Sequence, residues 1–173
     1  MMAGKRIGIL FAALLFVVSG CKTLSVSYSF SGVNISPDIK TVTVEYFPNR
    51  APVVQAQLSQ LFTDALIDKI QSNTSLELVA SSGDIVFSGE IKTYETRPTA
   101  ITGQERAARN RLTIGIKVVY TNNVDPDESF DTTFSRYEDY DANLNLADVE
   151  DELIDLIVEN ILEDIFNKAF VNW

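Results

Sequence analysis

Two segments of this chain alternate apolar and polar residues with a period of two. Within Asp84 to Thr96, Ile85, Phe87 and Ile91 fall on one side, and Ser88, Glu90, Lys92 and Tyr94 on the other. Within Arg111 to Thr121, Leu112, Ile114, Ile116, Val118 and Tyr120 fall on one side, and Arg111, Thr113 and Lys117 on the other. Successive side chains of a strand point to opposite faces, so each segment predicts a half-buried strand. The connection between them is polar, so the pair reads as a long antiparallel hairpin with one face committed to a core.

That face needs cover, and two helical segments can supply it. Leu58, Leu61, Phe62, Ala65, Leu66 and Ile70 recur at three- and four-residue steps. They predict an amphipathic helix of about 20 residues, with Pro52 in its first turn and Asn73 as its stop. Leu146 to Val171 predicts a second helix, with the broad apolar face of Leu153, Ile154, Ile157, Val158, Ile161, Leu162, Ile165 and Phe166. Asn145 is placed to cap it, and Asp148, Glu150, Asp151 and Glu152 crowd its first turns, where the helix dipole favours anions. Further strands are expected at Thr41 to Phe47, at Leu76 to Val79, and at Ser129 to Arg136 with Phe130 and Phe134 on one face. Asn122 to Glu128 reads as a turn. This order predicts an α+β fold: a mainly antiparallel four- to five-stranded sheet with two helices packed on one face. The other face is polar (Ser88, Glu90, Lys92, Thr113, Lys117) and should meet solvent or a partner.

The N-terminus carries a different signal. Lys5 and Arg6 precede an apolar run from Ile7 to Val18, too short for a bilayer-spanning helix, which needs about 20 residues. The run has signal-peptide proportions and ends in Val18-Ser19-Gly20-Cys21, which resembles a lipobox. Cys21, the chain's one cysteine, is then the expected lipid anchor. The alternative is an ordinary signal peptide followed by a free thiol. The expected organisation is a lipoprotein signal peptide over 1–20, an acylated N-terminus and tether over 21–39, and a single domain over 40–173. Tyr28 and Phe30, within the tether, are expected to pack on the domain edge or to contact a partner. Lys22 after the cysteine favours outer-membrane sorting, on the periplasmic side.

Composition narrows the function. There is no histidine, which removes His-dependent nucleophilic catalysis and most zinc chemistry. No enzyme, metal or cofactor is expected beyond the covalent lipid on Cys21. The net charge is −10, so nucleic acid is not an expected partner. The charge is also uneven. From Asp125 to Asp164 there are 15 acidic residues and one basic residue, Arg136, whereas Arg97, Arg106, Arg109, Arg111 and Lys117 oppose only Glu105 in the hairpin region. Arginine's planar fork suits phosphate oxygens. The basic tip is either a solvated surface or a site for an anion such as a phosphorylated lipid head. Glu138, Asp139 and Asp141 lack the glycine and terminal glutamate of a calcium loop and read as a solvated loop.

Several segments carry a family resemblance. They are Tyr28-Ser29-Phe30, Ser36 to Thr41, Tyr46-Phe47-Pro48-Asn49-Arg50, Asn110 to Ile114, Phe134 to Tyr137 with Asp139-Tyr140-Asp141, and the acidic helix ending Asp164 to Ala169. In this order, behind a lipobox, they resemble the LptE family of lipopolysaccharide-assembly lipoproteins. The resemblance implies an antiparallel sheet with two helices on one face. It also implies an outer-membrane location and partnership with the LptD β-barrel, whose lumen these proteins plug. A role in inserting lipopolysaccharide follows, with lipid contact assigned by position to Arg97, Arg106, Arg109, Arg111 and Lys117. The alternatives are a free-standing periplasmic lipid- or ligand-binding lipoprotein, or an accessory lipoprotein of another envelope assembly machine.

Overall fold

A computed structural model of the chain describes residues 34–99 and 109–171. The expected signal peptide, Cys21, Tyr28, Phe30, most of the tether and Arg106 lie outside these residues. Among the described residues the strands are β1 (Thr41–Val44), β2 (Glu77–Leu78), β3 (Ile85–Pro98), β4 (Arg109–Asn122) and β5 (Phe130–Asp141). The helices described are α1 (Leu58–Asn73) and α2 (Leu146–Phe170), and a 3-10 turn spans Pro126–Glu128. The fold is α+β, as expected. The sheet order is β2-β1-β3-β4-β5. The β3-β4-β5 pairings are antiparallel, but β1 runs parallel to both of its neighbours, so the sheet is mixed.

The period-two rows behave as strand physics requires. Leu112, Ile114, Ile116, Val118 and Tyr120 are all buried on the helix-facing side. Every apolar position read for α2 is buried as well, and these residues join Leu58, Phe62, Leu66 and Ile70 of α1 in one core. The 3.6-residue period leaves each helix one stripe to bury, and the sheet's apolar face is the surface available for it. Phe47 and Phe62 meet edge-on at 5.0 Å, a geometry that adds about 1 kcal/mol to their burial.

Gly89 makes room for this contact. A Cβ there would lie 2.0 Å from the Lys117 carbonyl oxygen and 2.7 Å from the Phe47 ring. Asp84 pins the entry to the sheet, its carboxylate accepting from the Lys40 and Thr41 amides at 2.8 and 2.9 Å. Just ahead of β1, Ile39 is buried and the Asn34 amide donates to the Phe170 carbonyl at 2.8 Å.

Four local expectations need correction. First, α1 starts at Leu58, and Pro52 lies in the preceding loop. The Gln55 side chain accepts from the Gln57 and Leu58 amides at 2.7 and 2.8 Å and caps the helix there, leaving 16 residues in it. Second, β1 ends at Val44, although the chain still follows β3: the Glu45 amide donates to Phe87 and the Arg50 amide to Ile91.

Third, Tyr94 points inward, only 4% exposed. The register slips between Ile91 and Thr93, so Lys92 is an extra residue that reverses the facing of everything after it. Fourth, β5 continues through Tyr137 to Asp141, so the segment read as an acidic loop is strand. Asn145 does hold the N-cap position of α2, but its side chain donates to Asp148 at 3.4 Å instead of accepting from the backbone.

Candidate functional site

Arg97, Arg109, Arg111 and Lys117 all lie on the sheet face away from the helices. For the three β4 residues this follows from their parity, opposite to the buried row. For Arg97 it follows from the bulge. With Lys92 in the ladder, Arg97 would share the face of Ile85, Phe87 and Ile91. With Lys92 bulged out, Arg97 pairs directly with Arg111.

The row divides in two. Lys117 sits six residues from Arg111 along β4, about 20 Å away. It bonds Asp131 of β5 at 2.9 Å, an interaction that raises the pKa of its ammonium. The tip group is Arg97, Arg109 and Arg111. Arg111 makes a two-pronged contact with Asp139, from Nε at 2.7 Å and from Nη2 at 2.9 Å. Its guanidinium also stacks 3.6 Å above the Tyr137 ring. The bond to Arg111 holds the Asp139 carboxyl below its usual range and raises the arginine. Arg97 bonds Glu95 at 2.7 Å while its side chain stays 75% exposed. Arg109 stands opposite Asp141 in the ladder.

Two like charges directly opposite in a sheet repel. Glu95 and Asp139 offset the Arg97–Arg111 pairing, so the tip is an ion-paired lattice of arginines and carboxylates. Chemically such a lattice can exchange its carboxylates for an incoming phosphate, because the guanidinium fork fits either.

Asp131, Asp139 and Tyr137 are partners of the basic row that the sequence pattern alone does not single out. The signal was present in the alternation of Tyr137, Asp139 and Asp141 with Arg136, Glu138 and Tyr140, which is a strand period continued to Asp141. Arg136, the single cation of the acidic region, lies on the helix side and grips Asp164 of α2 with two 2.7 Å bonds. Among the described residues, no helix is long and apolar enough to cross a membrane.

The model of a lipopolysaccharide-assembly family, LptE, matches residues 39–169. No curated protein sequence matches the chain. Among solved structures, a hypothetical protein from Chlamydia trachomatis is similar at 10% identity. That alignment has a TM-score of 0.52 and covers 78% of this chain and 99% of that one. A minor lipoprotein from Acinetobacter baumannii is similar at 12% identity, with a TM-score of 0.46 and coverage of 76% and 92%. An uncharacterized lipoprotein B from Nitrosomonas europaea is similar at 14% identity, with a TM-score of 0.44 and coverage of 74% and 80%.

Proposed function

Because this chain belongs to the LptE family of lipopolysaccharide-assembly proteins, we propose that it is an outer-membrane lipoprotein partnering an LptD-type β-barrel. In this reading Cys21 carries the lipid anchor after removal of residues 1–20, and the protein works by binding, without a catalytic step. The observation that carries the proposal is the extent of the family match, residues 39–169, which runs through every helix and strand among the described residues.

The geometry suits the role. The chain enters the sheet beside the C-terminal end of α2, where Asn34 bonds Phe170. The β3-β4 tip is at the other end of a 14-residue strand, about 45 Å away. A domain tethered at one end thus offers its arginine tip at the other. Arg97, Arg109 and Arg111 are the groups for a lipopolysaccharide phosphate, with Arg106 beside them in sequence and Lys117 farther along the face.

The test is co-expression of the tagged full-length chain with the LptD-type barrel of the same organism, followed by purification in mild detergent. A stoichiometric complex supports the proposal, together with loss of surface lipopolysaccharide on depletion while other barrels are still intact. Recovery of the chain free of the barrel, or depletion without effect on surface lipopolysaccharide, would count against it.

A further inference from the structure

We infer that Arg109 is the tip cation left open for an anion, and that the turn formed by Asp141 and Asn143 keeps it open. The anion is the phosphate group of a lipid head. That ligand is taken from the proposal above, whereas the state of Arg109 rests on the structure alone.

The outer face of β4 and β5 follows a pairing pattern. Cations at odd-numbered positions of β4 meet aspartates at odd-numbered positions of β5, either directly across or diagonally. Lys117 takes Asp131 at 2.9 Å, and Arg111 takes Asp139 with two bonds. Arg97, on β3, takes its strand neighbour Glu95. Arg109 stands directly opposite Asp141 and breaks the pattern. Among the described residues no carboxylate forms an ion pair with it.

The cause lies at the end of β5. The chain turns after Asp141, and the Leu144 amide closes that turn on the Asp141 carbonyl at 3.0 Å. Within it, Oδ1 of Asp141 accepts from both the backbone amide and the side-chain amide of Asn143, each at 2.8 Å. Aspartate bonds the backbone two residues on in many turns. Here that habit directs the carboxylate along its own chain instead of across the ladder, and Arg109 loses the partner its position would supply.

Arg109 itself is firmly based. Its carbonyl accepts from the Thr99 amide at 2.8 Å and from the Thr99 hydroxyl at 2.9 Å, which fixes the backbone at the start of β4. Arg111 is two residues on, on the same face, roughly 7 Å away along the strand. A phosphate can therefore enter the Arg109 fork without first breaking an ion pair. It then lies against Asp139, whose carboxyl is held low by Arg111 first and, at longer range, by Arg109. Spreading onto Arg111 requires displacing Asp139. Arg109 is the entry contact, and Arg111 is the second.

The experiment measures binding of purified lipopolysaccharide and of inorganic phosphate to the full chain at low salt. Arg109→Gln should weaken lipopolysaccharide binding about tenfold. Arg97→Gln removes an arginine already shared with Glu95 and should cost less than about threefold. Asp141→Glu lengthens the carboxylate by one carbon, which takes it out of the turn and across to Arg109. It should bind about threefold more weakly than Asp141→Gln, which has the same length but no charge. Nuclear magnetic resonance follows the Arg109 Nε proton, which should exchange with water faster than that of Arg111 in the parent and slow down in Asp141→Glu. Equal binding by the Glu and Gln variants, or an Arg109 proton as slow as that of Arg111 in the parent, overturns the open state of Arg109 and leaves the lipid reading standing. A parent that binds lipopolysaccharide no better than inorganic phosphate overturns the lipid as ligand, and with it the reading on which this inference rests.

Discussion

Arg111 and Asp139 face each other across the β4-β5 ladder and are joined by two parallel bonds of 2.7 and 2.9 Å. The arginine best placed by its ring contact and strand position to bind an anion is thus already occupied by a carboxylate. Any phosphate must compete with Asp139.

That competition gives a gain-of-function prediction. Asp139→Asn keeps the shape of the side chain but removes its charge. It should raise lipopolysaccharide affinity roughly threefold to tenfold at low salt, and the gain should shrink as salt screens the tip. Binding of the variant and parent is measured at two ionic strengths. Unchanged affinity would show that Arg111 is a structural partner of Asp139 and not an anion ligand. This substitution is cleaner than charge reversal at Arg111, which would set two carboxylates against each other.

The second prediction concerns acid. The Asp84 carboxyl is held below its ordinary value of 3.8, first by the Lys40 amide and then by the Thr41 amide. A carboxyl whose folded pKa is depressed stabilises the fold above its unfolded pKa, and the contribution fades as pH falls through the folded value. Asp84→Asn should therefore destabilise the protein near neutral pH and cost progressively less below about pH 4. Urea denaturation of both proteins across that range measures the convergence. A difference that is constant with pH would contradict it.

The third concerns alkali. Tyr94 donates its phenol hydrogen to Glu150 of α2. Burial, followed by that bond, pushes its pKa well above the usual 10. Burial likewise pushes Tyr120 up to about 12. A raised folded pKa means stability that is complete below the unfolded value and lost as pH climbs through the folded one. The parent should thus lose stability above about pH 10. Tyr94→Phe should cost about 1–2 kcal/mol at neutral pH, because a half-buried Glu150 oxygen loses its donor. It should also flatten the alkaline limb, leaving the Tyr120 portion. Chemical denaturation between neutral pH and about pH 11 tests this; an unaltered limb in Tyr94→Phe would remove Tyr94 from the account.

Legibility in this sequence followed the range of the interactions involved. The core stripe of α2 and the inward row of β4 could be read directly, because each is a long run of one period. The last five residues of β5 could not. Glu138, Asp139 and Asp141 look like loop until Arg109 and Arg111, some thirty residues earlier, are known to lie opposite. The same non-local pairing turned an apparent cationic tip into a balanced lattice. The parallel setting of β1 also escaped, since strand direction depends on where the intervening helix packs. The bulge at Lys92 was invisible, because one added residue leaves no mark in composition.

That bulge supplies the last prediction. Lys92 is the residue that lets Ile91 and Tyr94 both face the core and sends Arg97 to the outer face beside Arg111. Deleting Lys92 joins Ile91 to Thr93, whose partners Ile116 and Gly115 are already adjacent on β4, so the shortened strand can pair without a bulge. Ile85, Phe87, Ile91 and Tyr94 then keep facing the helices, and Arg97 keeps its place opposite Arg111. The deletion should therefore change stability by no more than about 1 kcal/mol and keep the Tyr94–Glu150 bond. Lys92→Ala, which keeps the bulge, should leave stability within about 0.5 kcal/mol. In both variants Tyr94 should still titrate above the ordinary tyrosine range, which ultraviolet absorbance reads directly. A deletion variant whose Tyr94 titrates in the ordinary range, or whose domain unfolds, would show that Lys92 is not the extra residue that sets the facing of the strand.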